Sequence, residues 1–174
     1  RRDGATLWAK AEWRGMTDVS LDYFDDKGKL SHSRTKTSSS QEVVIYDSAG
    51  KAVYRQKYSG YWSNSSYYNY SSFQLTEVEE LGDDGKTVTR RIYVERYSNK
   101  RVSKIEYLKD GEVVREQSLN YDGSVKQDRT LNDEGNWDTK DHALGEVQPE
   151  TIEEKAISEP EYSDPLTDGP NNFL

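Results

Sequence analysis

One pattern recurs five times in this chain and confines it to short antiparallel strands. An apolar or aromatic residue is followed by three turn-forming residues, a Gly, and a β-branched, aliphatic or aromatic residue two or three places on. The copies are Phe24-Asp-Asp-Lys-Gly28 before Leu30, Tyr46-Asp-Ser-Ala-Gly50 before Val53, Leu81-Gly-Asp-Asp-Gly85 before Val88, Tyr107-Leu-Lys-Asp-Gly111 before Val113, and Leu131-Asn-Asp-Glu-Gly135 before Trp137. A Gly at a fixed place after polar residues marks a hairpin reversal, because tight turns need positive φ and Gly takes it without a Cβ penalty. Between the turns the chain alternates with period two. Val88, Ile92 and Val94 share a face, with Tyr93 on the other. Val113, Leu119 and Tyr121 share a face with Arg115 and Gln117. Period-two patterning with regular Gly, Asp and Asn turns predicts an antiparallel meander. Turns alternate between two ends, so Gly28, Gly50, Gly85, Gly111 and Gly135 are expected at one end. The segments 38–40, 59–69, 98–100 and 122–123 are expected at the other.

With 174 residues the expectation is a single domain. Apolar content is 32%, and charged content equals it. That supply is too small for a thick two-layer core and suits one extended sheet with a thinly covered face. Tyr dominates the aromatics, 13 against 4 Trp and 3 Phe. Tyr can bury its ring while its hydroxyl stays wet, which fits a thin sheet. The fold expected is therefore all-β: an antiparallel β-meander of tandem hairpin repeats, about nine to eleven strands in a single sheet, followed by an acidic, Pro-containing tail. Residues 1–20 form an N-terminal cap segment, 21–141 the repeat domain, and 142–174 the extended tail.

Two stretches depart from the repeat. The step from Gly50 to Gly85 is about ten residues longer than the others. It holds Tyr58, Tyr61, Trp62, Tyr67, Tyr68, Tyr70 and Phe73, diluted by Ser, Asn and Gly. Rigid aromatic area among small polar residues is the composition of recognition loops. The competing reading is that these aromatics pair across strands and cover the sheet. The second departure is the tail. All four Pro lie there, and from residue 146 onward eight carboxylates face only Lys155, which places −7 of the net −8 in the last 29 residues. Its apolar residues include Ile152, Ile157, Tyr162 and Phe173. The tail reads either as a solvating extension or as a docking peptide packed on the body or on a partner.

The phrases Ile45-Tyr-Asp-Ser-Ala-Gly-Lys51, Asn120-Tyr-Asp-Gly123 and Asn132-Asp-Glu-Gly-Asn-Trp137 resemble the Tyr-Asp (YD, Rhs-type) repeats of bacterial cell-surface and secreted proteins, and are similar in pattern to MORN-style hairpins. The resemblance spans about residues 21–140. It implies a structural hairpin module in an exported bacterial protein: periplasmic, outer-membrane, cell-surface or secreted. Only two copies carry Tyr-Asp in sequence, and five units are too few to close a large shell.

Catalytic signals are weak. His32 and His142 are the only imidazoles, and no Gly-x-Ser-x-Gly elbow is present. The carboxylate pairs Asp25-Asp26, Glu79-Glu80, Asp83-Asp84 and Glu153-Glu154 fall mostly in turns or the tail, where water solvates them. The calcium-loop spacing is incomplete around Asp25–Gly28 and Asp83–Gly85. There is no Cys, so thiol chemistry and thiolate metal sites are excluded. No cofactor motif is present. No basic stripe gives nucleic acid a footing, and no apolar run reaches a membrane span. The chain opens on Arg1-Arg2, which reads as a trimmed product, with a lipid anchor upstream as an open alternative.

The expectation is a non-enzymatic binding module or accessory subunit of a cell-surface assembly. Its partner is a protein, contacted through Tyr58, Tyr61, Trp62, Tyr67, Tyr68, Tyr70 and Phe73 and through Ile152, Ile157, Tyr162 and Phe173 of the tail. The alternatives are an antitoxin or immunity-type inhibitor using the tail's acidity, and a carbohydrate-binding module using the Tyr-rich insertion.

Overall fold

Eleven strands run β1 (Ala9–Trp13), β2 (Val19–Phe24), β3 (Leu30–Lys36), β4 (Ser40–Tyr46), β5 (Ala52–Asn64), β6 (Asn69–Leu81), β7 (Val88–Val94), β8 (Val102–Lys109), β9 (Glu112–Leu119), β10 (Val125–Leu131) and β11 (Trp137–Asp141), followed by one helical turn, α1 (Glu154–Ile157). The structure, a computed structural model, describes residues 9–14, 18–64, 69–96 and 98–160. All strands lie in one sheet in strict sequence order, and every neighbouring pair is antiparallel. The fold is thus the all-β meander that the repeat predicts. The N-terminal segment contributes an edge strand, β1, and Trp13 on it is 43% exposed.

The five repeat glycines all stand at positive φ, between 66° and 83°, at one end of the sheet. Three of their turns are built alike, and a polar residue ahead of the Gly does part of the work. Asp25, Asp47 and Asn132, each three places before its Gly, accept backbone N–H groups two and four residues on, at 2.8–3.1 Å. These Asx turns give the reversal an internal lock beyond glycine's freedom. Gly82 occupies the same place in the third copy, and Asp84 substitutes by accepting from Lys86 and Thr87 at 2.9 and 2.8 Å. The fourth copy is a tighter hairpin: Lys109 pairs with Glu112 across Asp110 and Gly111, both at positive φ. That is the type I′ geometry whose twist matches the flanking strands.

The two faces of the sheet differ sharply. One register row crosses it from Leu21 through Arg34, Val43, Gln56, Val78, Ile92, Ile105 and Gln117 to Asp128. With Tyr54, Tyr58, Leu75, Val94, Leu119 and Val125 beside it, this face carries the main core. The opposite face carries an ion ladder. Its row runs Arg55, Glu79, Arg91, Glu106, Glu116, Arg129, one residue per strand from β5 to β10. Arg55–Glu79 (2.6 Å), Lys57–Glu79 (2.7 Å), Arg91–Glu106 (3.0 Å) and Lys104–Glu106 (2.8 Å) are its closest pairs. Burial alone would raise the carboxyls of Glu79 and Glu106. Hydrogen bonds from Lys57 and Arg55, and from Lys104, Tyr93 and Arg91, outweigh it and hold both below the usual carboxylate range.

The tail is the second layer over the apolar face. It leaves β11 through a turn in which Gly145 has φ 77°, then crosses the strands nearly one after another. Val147 O accepts from the Val125 N–H of β10 at 2.7 Å. Thr151 O accepts from Arg90 of β7 at 3.2 Å. Gln56 Nε2 on β5 donates to the carbonyls of Ala156 and Ser158 at 2.9 and 2.8 Å. Arg34 on β3 pairs with Glu159 at 2.7 Å. Val147, Ile152, Ala156 and Ile157 pack on the core. Arg34 and Gln56, two of the polar residues in that row, are among the points where the sheet holds the tail.

Candidate functional site

The long step between Gly50 and Gly85 becomes a hairpin arm. β5 and β6 are 13 residues each, against five to eight for the other strands. β4 pairs with β5 only as far as Ser40–Ser59, and β7 begins on β6 only at Glu77–Tyr93. Beyond those points Gly60–Asn64 and Asn69–Phe73 pair only with each other. The arm therefore projects past the sheet as a two-stranded ribbon of about 15 Å, at roughly 3.4 Å per residue. Gly60 permits this ribbon: an ideal Cβ there would lie 1.8 Å from Ser72 O on the facing strand. Its N–H also reaches Ser39 O at 3.2 Å, tying the root of the arm to the β3–β4 turn.

The candidate contact residues fall into three groups. Tyr61, Trp62 and Tyr70 lie on the arm strands, and the backbone register sets them opposite Ser72, Ser71 and Ser63. Phe73 stands at the arm's root, half-buried against both apolar clusters. Tyr58 is core: it is 5% exposed, and its hydroxyl donates to Gln56 Oε1 at 2.8 Å. Ile152 and Ile157 are likewise packed on the sheet by the folded-back tail. Their apolar surface is thus used inside the molecule rather than offered outward. Tyr67, Tyr68, Tyr162 and Phe173 lie outside the described residues.

The titratable candidates separate in space. His32, on β3, is 5% exposed and stacks on Tyr23 with ring centroids 4.5 Å apart and planes within 9°. Burial first, and Arg34 second, push its imidazole down to about 4, so it is neutral through most of the physiological range. Its Nδ1 lies 3.1 Å from Ser31 Oγ. His142 follows β11, eight strands away in the sheet order. Glu79 and Glu80 point to opposite faces, one into the ion ladder and the other to Arg90 at 2.7 Å. Asp84 sits in its turn, brought down to about 2 by the Thr87 hydroxyl and neighbouring backbone N–H groups. Among the described residues no group of three or more His, Asp or Glu side chains is placed to hold a metal, and no helix is long and apolar enough to cross a membrane.

A cleft that the sequence reading did not anticipate lies where the arm root meets two other elements. Its apolar floor is Tyr58, Phe73, Leu75, Val94 and Ile157, and it encloses about 410 Å³. The β7–β8 turn and Glu159 of the tail form its rim. The turn 98–100, expected from the sequence only as a strand reversal, holds both Asn99 and Lys100 at positive φ.

Fold and site together define a single-sheet hairpin-repeat protein with a projecting aromatic arm. No family model matches the chain, and no curated protein matches it. Among solved structures it is similar to TarM, at 12% identity and a TM-score of 0.45, over 67% of this chain and 20% of that one. It is also similar to a mutant of S. aureus TarM in complex with fondaparinux, alpha-GlcNAc-glycerol and UDP, at 13% identity and a TM-score of 0.37, over 78% of this chain and 22% of that one. The chain spans about a fifth of the length of those structures, and similarity at this level carries no functional argument.

Proposed function

We propose that this is a non-catalytic binding module that presents the β5–β6 arm to a protein partner, as an accessory subunit of an exported bacterial assembly. The observation that supports it is the arm itself. A two-stranded ribbon beyond the edge of a sheet buries little of its own surface and is marginal in isolation. This one carries Tyr61, Trp62 and Tyr70 on its strands. Aromatic residues of that kind supply rigid contact area with few torsions to freeze. The sheet's other large surface, the ion ladder, is already paired with itself, and the apolar face is already covered by the tail. The exported, bacterial part of the reading is supported by the likeness of the Tyr-Asp phrases to surface-protein repeats.

The test starts from the protein purified from its native source with whatever protein accompanies it. Replacing Tyr61, Trp62 and Tyr70 together by Ser should leave the circular dichroism spectrum and melting temperature nearly unchanged. Affinity for the co-purifying protein should fall by about tenfold or more, as expected when aromatic anchors are lost. Undiminished affinity in the triple variant would defeat the arm reading. Binding to a glycan array that disappears in the same variant would move the arm to the carbohydrate-binding alternative.

A further inference from the structure

We propose that the cleft at the arm root binds a small organic anion with an aromatic or branched aliphatic body and one carboxylate. The inference stands apart from the arm's role, because the cleft belongs as much to the β7–β8 turn and the tail as to the arm.

The floor sets the body of the ligand. Tyr58, Phe73, Leu75, Val94 and Ile157 converge from β5, β6, β7 and α1 and leave about 410 Å³ among them. Pockets of this size and mostly apolar lining suit a compact ligand with a few polar anchors. Tyr58 adds no free hydroxyl, since its proton goes to Gln56. The floor therefore selects for hydrophobic shape.

The rim sets the charge. Two carboxylates stand there, Glu95 and Glu159, and each has its own guanidinium. Glu95 is paired with Arg101, and Glu159 is paired with Arg34, whose side chain is fully buried. Both carboxylates thus already have a cationic partner of their own. Lys100 lines the same rim and has no ion pair or hydrogen bond among the described residues. The amide of Asn99 beside it has none either. Among the described residues the rim thus offers one uncommitted cation and one uncommitted amide, a pairing suited to a carboxylate.

The backbone fixes both groups in place. Asn99 and Lys100 stand at φ 52° and 64°. A left-handed conformation crowds the Cβ of a residue such as Lys against the following carbonyl and is adopted only where the surroundings hold it. Ser98 locks the turn by donating its hydroxyl to Glu95 O and accepting from the Arg101 N–H at 3.2 Å. Two successive non-glycine residues in this conformation line the rim of the cleft.

The experiment is an amide- and methyl-resolved NMR titration of the full chain with phenylpropionate, and in parallel with phenylpropanol and phenylpropylamine. Phenylpropionate should give saturable shifts confined to residues 94–100 and to the methyls of Leu75, Val94 and Ile157. The alcohol and the amine should bind at least about fivefold more weakly. Lys100→Asn removes the charge with a residue that tolerates the left-handed backbone, and should bring the carboxylate down to the affinity of the alcohol. Lys100→Glu should reverse the preference in favour of the amine. Shifts scattered over the surface, no saturation, or equal binding of acid and amine would overturn the proposal. So would a Lys100→Asn variant that keeps its preference for the acid.

Discussion

At the scale of single residues, Gly60 and His32 carry consequences out of proportion to their size. Gly60 allows the two arm strands to approach closely, and the atoms in the way of a Cβ are backbone atoms of Ser72 and Phe73. Backbone on a paired strand cannot swing aside as a flexible side chain would, so Gly60→Ala should open the β5–β6 ladder near the root. The expected result is faster amide exchange from Gly60 to Asn64 and from Asn69 to Phe73, with exchange in β7–β10 unchanged. Uniform protection in the variant would contradict this geometry. His32 makes stability depend on pH. Its imidazole is held near 4 in the fold against 6.5 when exposed. The unfolded chain therefore binds a proton that the folded chain refuses between those values. The stabilisation is complete above pH 6.5 and is lost as pH falls toward 4, a difference of about 3 kcal/mol at 1.36 kcal/mol per pKa unit. The carboxylates of Glu79, Glu106 and Asp128 are held low and weaken the fold only at lower pH, as they protonate. Urea midpoints measured from pH 7 down to pH 3 should fall for the native chain, and His32→Phe should flatten the slope above about pH 5 while leaving the decline below it, where the carboxylates protonate.

At the scale of elements, the tail turns out to be part of the core. Gln56 is fully buried, and its amide nitrogen holds the carbonyls at the end of α1. Gln56→Leu keeps the volume but strands those two acceptors, so it should destabilise by about 2–6 kcal/mol at roughly 1–3 kcal/mol per unsatisfied group. A denaturant midpoint within error of the parent would contradict that. Removing residues 146–174 goes further. It exposes the face formed by Val43, Tyr54, Val78, Ile92 and Ile105, and the loss of several aliphatic contacts should cost about 4–8 kcal/mol, comparable with the whole stability of a domain this size. A truncated chain that melts with the full-length protein would rule out the tail as a structural layer. These elements also mark what the sequence could and could not reveal. The turns were legible because φ at Gly28 or Gly111 is a local demand. The arm was legible as a length anomaly. The tail's packing was legible only as one alternative: its apolar residues, Val147, Ile152 and Ile157 among them, stand out in the sequence, but a charged, Pro-punctuated composition does not say whether they meet the sheet, a partner or water. Gln56 and Arg34 were the available clue: polar residues at in-phase positions of core strands ask for a partner. The cleft was invisible for the same reason, since its walls come from positions far apart in sequence.

At the scale of the whole molecule, each strand pairs through its backbone ladder only with its sequence neighbours. Such a meander behaves as a one-dimensional array, in which edges can open without the centre. The tail is the exception: it reaches from β10 to β3 and ties the array into one unit. Hydrogen exchange should accordingly show β1 and β11 opening at low free energy, and β4 to β9 opening together. In the chain truncated at residue 145, the central strands should instead exchange with separate free energies, and the urea transition should broaden. A sharp, single transition in the truncated chain would show that the sheet is cooperative without its strap.

The crossing tail also has a length, and that length fits the sheet it crosses. Between Val147 on β10 and Glu159 on β3 the chain spans seven strand spacings, roughly 33 Å at about 4.7 Å each. A meander can in principle gain a hairpin at any turn, since each added pair of strands restores both the face and the direction of the chain. A strap of fixed reach cannot follow such growth. Duplication of a hairpin between β3 and β10 would carry Arg34 out of range of Glu159. The tail therefore acts as a molecular ruler, and the number of repeats beneath it is free to change only in step with the sequence that lies across them.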